Sequence, residues 1–173
     1  MDAGRRASNV PETSDHCIDY LENITNAVHI FHMRAPIANP PQNAQLRLAV
    51  IDDHAIIRGV FITLVEDAPE MSMAWVASSL ADAWTKLQHD APDFLVSDVG
   101  LPDGNGFDFI AKVLQELPHL PVLMVSAEEE KSYPERAAAC GAKGFIAKEA
   151  SLELLVEAVT TIQEGGTWFK QPE

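Results

Sequence analysis

Four short apolar runs, each followed by a polar residue, constrain the fold of this chain more than any other feature. The runs are residues 48–51, 94–97, 122–125 and 144–147, and the polar residues after them are Asp52 with Asp53, Asp98, Ser126 and Lys148. In an open parallel α/β sheet, ligands bind beyond the carboxyl ends of the strands, where the strand order reverses. We therefore expect three carboxylates, a hydroxyl and an ammonium to meet at one sheet edge, a set that suits a divalent cation and a phosphoryl group.

Strand and helix patterns alternate from residue 46 onward. Strands are predicted at 47–51, 73–77, 94–98, 121–126 and 144–147, and helices at 55–67, 80–89, 107–116, 132–140 and 151–164. Ser151 is a predicted helix cap, and Gly141, Gly165 and Gly166 mark predicted helix ends. Uniformly apolar strands suit a sheet that is covered on both faces. Five β-α units therefore predict an α/β fold with a doubly wound five-stranded parallel sheet.

The two ends of the chain differ in pattern from this alternation. Residues 1–45 form a predicted N-terminal extension, with a helix at 14–33 and a proline-rich linker at 35–45 that has no charge. The helix would carry an apolar stripe made of Cys17, Leu21, Ile24, Val28 and Phe31. Residues 169–173 are the predicted start of a C-terminal linker.

Charge and cysteine content exclude several classes of protein. The formal net charge is −14, and most of it falls in residues 47–173, so we expect no direct nucleic-acid binding and no anionic membrane surface as a partner. No apolar stretch approaches the roughly 20 residues of a membrane span. The two cysteines, Cys17 and Cys140, are far apart and show no metal-type spacing, so a disulfide framework is not expected and a cytoplasmic location is predicted.

The ordered motifs over residues 46–168 resemble the receiver domain of two-component response regulators. They are an acidic pair after the first strand, Asp-x-x-Leu-Pro-x-x-x-Gly at 98–106, a serine after the fourth strand and a lysine after the fifth. Finer features resemble the subfamily that carries a helix-turn-helix output domain, namely Asp-Asp-His at 52–54, Cys-Gly-Ala-Lys-Gly-Phe at 140–145, Lys-Glu-Ala-Ser at 148–151 and Gly-Gly-Thr-Trp-Phe at 165–169. We expect the output domain to be absent here. The chain would then be either a natural single-domain regulator or a regulator cut before its DNA-binding domain. The match of residues 165–169 to the helix-turn-helix subfamily favours the second alternative.

The resemblance implies a flavodoxin-like receiver fold with a magnesium-dependent phosphoacceptor site. Asp98 matches the phosphoacceptor, whose carboxylate attacks phosphorus as a nucleophile. Asp53 matches the direct Mg²⁺ ligand and Asp52 the ligand that acts mainly through water. Asp98 and the backbone carbonyl of Gly100 match the other metal ligands. A divalent cation would also relieve the repulsion among three close carboxylates, which otherwise raises their pKa values.

Further positions match the phosphoryl-binding and switch residues of the family. Lys148 would place its ammonium against the phosphoryl oxygens, and Ser126 would hydrogen-bond to the phosphoryl group. Phe145 matches the aromatic switch position, although an ordinary core role explains this residue equally well. Gly100 and Glu128 lie where side chains are expected to tune the lifetime of the phosphoryl group. In many receivers proline follows the lysine, whereas Glu149 does here, so the backbone at this step is left open.

The implied function is phosphoacceptance rather than dedicated enzyme activity. The implied partner is a sensor histidine kinase or a phosphotransfer protein, and phosphorylation would shift the face formed by residues 132–164. A homodimer through 132–164 or through 14–33 is an additional expectation. The signal, the cognate kinase and the regulated output are not encoded in this chain.

Several alternatives were weighed against this interpretation. The residues at 103–106 resemble part of an EF-hand loop, but Leu101 and Lys112 would occupy its first and twelfth ligand positions, so an ordinary turn is predicted. An aspartyl-phosphate hydrolase needs Asp-x-Asp after the first strand, which this chain lacks. A receiver-like interaction module that never carries phosphate stays open. We expect His54 to begin a helix rather than bind metal, and Trp84 and Cys140 to be core residues.

Overall fold

The computed structural model describes residues 45–128 and 130–169. Its central element is a five-stranded parallel sheet in the order β2-β1-β3-β6-β7, which is the flavodoxin-like receiver fold and confirms the predicted fold class. The strands are β1 (Leu46–Ile51), β2 (Met71–Ala77), β3 (Phe94–Asp98), β4 (Gly100–Leu101), β5 (Gly104–Asn105), β6 (Val122–Ser126) and β7 (Gly144–Ala147). The helices are α1 (Ala55–Glu66), α2 (Leu80–His89), α3 (Gly106–Glu116), α4 (Tyr133–Ala139) and α5 (Leu152–Gln163).

The sheet separates two hydrophobic cores. Helices α1 and α5 cover one face and contribute aliphatic side chains such as Leu64 and Val156. Helices α2, α3 and α4 cover the other face, which is richer in aromatic residues, including Phe107 and Tyr133. Both faces of the inner strands are therefore dry, as the apolar runs predicted. In contrast, residues 72–74 and Val76 of β2 are only half-buried, because this strand lies at the edge of the sheet.

Element bounds agree with the sequence within two residues at each end. Strand β2 starts at Met71 rather than at residue 73, because Met71 pairs with Leu46 at the start of β1. The loop predicted after β3 contains a short antiparallel hairpin, β4–β5, which the sequence analysis did not predict. The predicted helix at 14–33, its Cys17 and the predicted linker at 35–45, apart from Gln45, lie outside the described residues.

The predicted helix ends are confirmed. The Ser151 side chain accepts a hydrogen bond from the Leu154 amide and caps α5. Gly141 and Gly165 have φ values of +95° and +89°, in the left-handed region that favours glycine after a helix. Within the described residues, no helix is both long enough and apolar enough to cross a bilayer.

Two predicted core residues are less buried than expected. Trp84 is half-buried, with its ring edge-on to Phe109 and the Lys112 ammonium 3.8 Å from its centroid. Cys140 is also half-buried, and its thiol donates to the Ala137 carbonyl. Trp84 lies on α2 and Cys140 directly follows α4, and both side chains pack against the margin of the core rather than in its centre.

The segment after α5 adds to the β7 edge of the sheet. The Trp168 amide donates to the Lys143 carbonyl, and the Phe145 amide donates to the Trp168 carbonyl. A Cβ atom at Gly144 would lie 2.8 Å from the Trp168 carbonyl oxygen, so only glycine permits this approach. The indole of Trp168 is buried against the α5 side of the sheet, which gives the Gly-Gly-Thr-Trp-Phe motif a packing role.

Candidate functional site

The strand order brings the predicted site residues to one edge of the sheet. Strands β1 and β3 are neighbours, and the chain leaves their carboxyl ends toward helices on opposite faces of the sheet. This is the topological switch point at which open α/β sheets bind ligands. Asp52 and Asp53 follow β1, and Asp98 is the last residue of β3.

Lys148 joins the two buried carboxylates of this edge. Its Nζ atom lies 2.6 Å from Asp98 Oδ2 and 2.7 Å from Asp52 Oδ2. The side chain of Asp52 is fully buried, and those of Asp98 and Lys148 are at most 8% exposed. A buried charge needs a partner, because its desolvation is otherwise uncompensated. The three side chains therefore form one ion-paired group at the ends of three strands, in which a single ammonium faces two carboxylates.

The local environment shifts the pKa values of both Asp98 and Lys148. Burial raises the pKa of Asp98 and outweighs the opposing hydrogen bond and charge of Lys148, while the charge of Asp52 raises it further. Burial by itself would lower the pKa of Lys148, but the contacts with Asp52 and Asp98 outweigh it and hold this pKa above its usual value. Lys148 is thus a permanent positive charge beside the predicted phosphoacceptor.

The acidic cluster has the chemistry of a magnesium site. Ligand atoms of Asp52, Asp53, Asp98 and His54 all lie within 4.8 Å of one another. Asp52 Oδ2 is buried and lies 2.7 Å from Lys148 Nζ, so this carboxylate oxygen already faces a positive charge. A hard, oxygen-preferring cation fits such a set of carboxylates. The residues present therefore fit the Mg²⁺ that the sequence implies, and the cluster is typical of receiver domains.

His54 immediately precedes α1, as predicted, but its side chain also reaches the acidic cluster. Its Nδ1 atom lies 2.8 Å from Asp53 Oδ1 and 3.2 Å from Asp52 Oδ1, and its backbone amide donates to Asp52 Oδ1. The imidazole is 62% exposed, so it covers the cluster from the solvent side. The sequence placed the residue correctly and missed these side-chain contacts, because it could not show how the ring turns.

Ser126 ends β6, next to the strand that ends in Asp98. Its buried hydroxyl accepts a hydrogen bond from the Glu128 amide at 3.0 Å, and its carbonyl accepts one from the Lys148 amide at 2.7 Å. The second bond ties the ends of β6 and β7 together below the site. The first leaves the hydroxyl engaged in a local turn, as part of the loop after β6.

The sequence analysis missed Tyr133, which connects this loop to α4. Its hydroxyl donates to Glu128 Oε2 at 2.8 Å, and its ring packs edge-on between those of Phe107 and Phe145. The hydrogen bond to Glu128, aided by burial, raises the pKa of Tyr133 to about 12. Phe145 is buried in this stack, a position that suits either a switch or an ordinary core residue. The sequence feature that could have indicated this role is an aromatic residue, Tyr133, at the start of a predicted helix and close to the predicted switch residue Ser126.

Gly100 lies at the start of the β4–β5 hairpin. Its amide donates to Asp98 Oδ1 at 3.3 Å, so the hairpin touches the predicted phosphoacceptor directly. A Cβ atom at Gly106, the first residue of α3, would collide with the Asp98 carbonyl oxygen, which explains the glycine in the Leu-Pro-x-x-x-Gly pattern. Glu149 follows Lys148 through a trans peptide bond, since the described residues contain no cis peptide.

Most of the described sequence matches a known protein family. Residues 48–160 match the response regulator receiver domain. The chain is 28% identical over 125 residues to the oxygen regulatory protein NreC of Staphylococcus carnosus (strain TM300), and the alignment covers 72% of this chain and 58% of NreC. The chain therefore spans less than two thirds of the length of this relative.

Solved structures show the same fold. A two-component response regulator of the LuxR family from Aurantimonas sp. SI85-9A1 matches with a TM-score of 0.68 and 24% identity, covering 72% of this chain and 89% of that one. The signal receiver domain of the putative response regulator NarL from Mycobacterium tuberculosis matches with a TM-score of 0.66 and 25% identity, covering 71% and 99%. The chain belongs to the response regulator receiver domain family, whose members are phosphoacceptor signalling modules rather than dedicated enzymes.

Proposed function

We propose that this chain accepts a phosphoryl group on Asp98 in a magnesium-dependent two-component phosphorelay. The observation that carries the proposal is the buried contact of Lys148 Nζ with Asp98 at 2.6 Å, beside carboxylate oxygens that can hold a cation. A nucleophilic carboxylate, a fixed ammonium and a cation site are the parts that phosphoryl transfer needs. The donor would be the phosphohistidine of a sensor histidine kinase or of a phosphotransfer protein.

The residues of the site divide the chemistry among them. Asp98 Oδ would form a bond to phosphorus as the bond between phosphorus and the donor histidine nitrogen breaks, and that nitrogen would keep the electron pair. With the other ring nitrogen of the phosphohistidine protonated, the products are an acyl phosphate and a neutral imidazole. Asp53, Asp52, Asp98 and the Gly100 carbonyl would hold Mg²⁺, which supplies positive charge opposite the phosphoryl oxygens. Lys148 would exchange part of its contact with Asp98 for a contact with the incoming group.

The switch would run through the loop after β6. Ser126 would turn its hydroxyl from the Glu128 amide to the phosphoryl group and draw this loop inward. The Phe145 side chain would then move inward as the loop moves. Because phenylalanine has no hydroxyl group, this movement would change packing contacts only. The face formed by residues 132–164 would then change its affinity for a second copy or another partner. The similarity to the transcriptional regulatory protein DegU of Brevibacillus brevis, 26% identical over 125 residues, supports a role as the regulatory part of a transcriptional response regulator.

Intact mass spectrometry after incubation with acetyl phosphate tests the proposal. We expect the wild-type protein to gain the mass of one phosphoryl group only when Mg²⁺ is present, and Asp98→Ala to gain none. Asp108→Ala, which changes an exposed aspartate on α3, is the matched control and is expected to label normally. Absence of labelling in the wild type would favour the alternative, a receiver-shaped interaction module that carries no phosphate.

A further inference from the structure

The tip of the β4–β5 hairpin is fastened to the first turn of α2. Asp103 Oδ1 accepts a hydrogen bond from the Leu80 amide and Asp103 Oδ2 accepts one from the Ala81 amide, both at 2.9 Å. The helix has its own cap, Ser79, whose hydroxyl accepts from the Asp82 amide at 3.2 Å. Asp103 therefore satisfies amides that the local cap leaves free, and it does so from a different segment of the chain.

A second contact presses the same two segments together. A Cβ atom at Gly104 would lie 2.8 Å from a methyl carbon of Leu80, so the hairpin backbone packs directly on the first residue of α2. At its other end the hairpin rests against the end of β3, where Gly106 approaches the Asp98 carbonyl. The hairpin is thus held between the strand that carries the phosphoacceptor and the start of α2.

The hairpin transmits this hold to the site. Gly100 pairs with Asn105 and Leu101 pairs with Gly104, so two backbone pairs join the tip of the hairpin to its base. The base is Gly100, whose amide donates to the Asp98 carboxylate and whose carbonyl is the proposed metal ligand. A shift of the tip would therefore change the geometry at Asp98.

We propose that Asp103 is a positioning residue of the phosphoryl site, which fastens the Gly100 hairpin to α2 and so fixes the metal-binding geometry. This inference rests on the proposed function, because it concerns the same site. The hydrogen bonds from Leu80 and Ala81 also lower the pKa of Asp103, so its carboxylate stays ionised and can serve both amides at neutral pH. Asp103, which in sequence resembles part of a calcium-binding loop, thus binds the first amides of α2 in the structure.

Three variants separate fastening from helix stability. Asp103→Ala removes both acceptors, Asp103→Asn keeps one amide oxygen, and Ser79→Ala weakens the same helix end without releasing the hairpin. The first measurement is the Mg²⁺ dissociation constant from calorimetric titration. The second is the hydrogen-exchange rate of the Gly100 amide in metal-free protein, which does not depend on phosphorylation.

We expect Asp103→Ala to weaken Mg²⁺ binding about tenfold, the size typical of residues that orient metal ligands. Asp103→Asn should fall between wild type and Asp103→Ala, and Ser79→Ala should stay within about twofold of wild type. Exchange of the Gly100 amide should accelerate in Asp103→Ala and remain unchanged in Ser79→Ala. In Asp103→Ala, phosphorylation by acetyl phosphate should need a higher Mg²⁺ concentration to reach half of its maximal rate. The rate at saturating Mg²⁺ should equal that of the wild type.

The outcomes that overturn this inference differ from those that overturn the proposed function. Unchanged Mg²⁺ affinity and unchanged Gly100 exchange in Asp103→Ala would overturn the positioning role while wild-type labelling still stands. Equal losses in Ser79→Ala and Asp103→Ala would overturn it too, because stability of the helix end would then explain both. A wild-type chain that neither binds Mg²⁺ nor labels would refute the proposed function itself, and the positioning role with it.

Discussion

The inner and outer sides of the site are held together in different ways. The inner side consists of Asp52, Asp98 and Lys148, which are buried and compensate one another's charge at 2.6 and 2.7 Å. The outer side is a series of single hydrogen bonds, from the Glu128 amide to the Ser126 hydroxyl and from the Tyr133 hydroxyl to the Glu128 carboxylate. A rearrangement of the inner side would leave a buried charge without a partner, which is costly. Each hydrogen bond of the outer side can instead be replaced by a hydrogen bond to water. We therefore expect conformational change at this site to involve the outer side more than the inner side.

The largest effect should come from removing the ammonium of the inner side. In Lys148→Met, Asp52 and Asp98 would face each other without a cation, so we expect the metal-free protein to lose about 3–5 kcal/mol of unfolding free energy. Mg²⁺ should restore part of this loss, because it compensates the same carboxylates. Urea unfolding with and without Mg²⁺ measures both numbers.

An exposed lysine provides the control for this change. Lys143→Met lies in the turn after α4 and should change stability by less than about 0.5 kcal/mol. A Lys148→Met protein as stable as Lys143→Met would show that the inner side does not depend on its ion pairs, and the contrast between the two sides would fail.

A smaller effect is expected on the outer side. Tyr133→Phe keeps the aromatic stack and removes one hydrogen bond to a carboxylate, so we expect a loss of about 1 kcal/mol. Glu128→Ala removes the acceptor of the same bond from its other end. If the two residues act through this bond, the double variant should lose less than the sum of the single losses. Additive losses in chemical unfolding would contradict the proposed connection between α4 and the loop after β6.

Asp98 should make the metal-free fold slightly less stable at neutral pH. Because burial raises its folded pKa, the folded state binds the proton more tightly than the unfolded state does. Stability contributed by this group is therefore present in acid and lost as pH rises from about 4 through the raised folded pKa. We expect Asp98→Asn to have a higher free energy of unfolding than the wild type at pH 7. This gain should be smaller than the loss expected for Lys148→Met.

Metal and pH dependence provide the checks on this expectation. The advantage of Asp98→Asn should shrink when Mg²⁺ is added and vanish near pH 4, in thermal unfolding series at matched ionic strength. If Asp98→Asn were the less stable protein at pH 7 without metal, the hydrogen bond with Lys148 would outweigh burial, contrary to the direction of the pKa shift.

The inner side could be predicted from sequence because each of its residues ends an apolar strand. Parallel strands bring their carboxyl ends to one edge of the sheet. The strand assignments alone were therefore enough to predict that Asp52, Asp98 and Lys148 lie close together. The same logic predicted Ser126, which ends β6. The alternation of strands and helices likewise predicted the sheet and the positions of its five helices.

The outer side and the β4–β5 hairpin could not be predicted in the same way, because their contacts depend on side-chain direction and on loop geometry. Tyr133 lies seven residues beyond Ser126 and meets Glu128 only because α4 begins where it does. The β4–β5 hairpin has strands of two residues, too short to produce a periodic pattern. Asp103 reaches α2 across 22 residues of sequence, a pairing that no local rule predicts.

The least disruptive test of the outer side is the titration of Tyr133. The chain has two tyrosines, so in a Tyr20→Phe background the ultraviolet signal of phenolate formation belongs to Tyr133 alone. We expect its pKa near 12, because ionisation would place a phenolate against the Glu128 carboxylate. The stability that this bond contributes is present below the unfolded tyrosine pKa of about 10 and is lost as pH rises through about 12. Glu128→Gln should bring the pKa back toward 10. An ordinary pKa in the parent protein would mean that Tyr133 does not hold Glu128, and the loop after β6 would then have to move independently of α4.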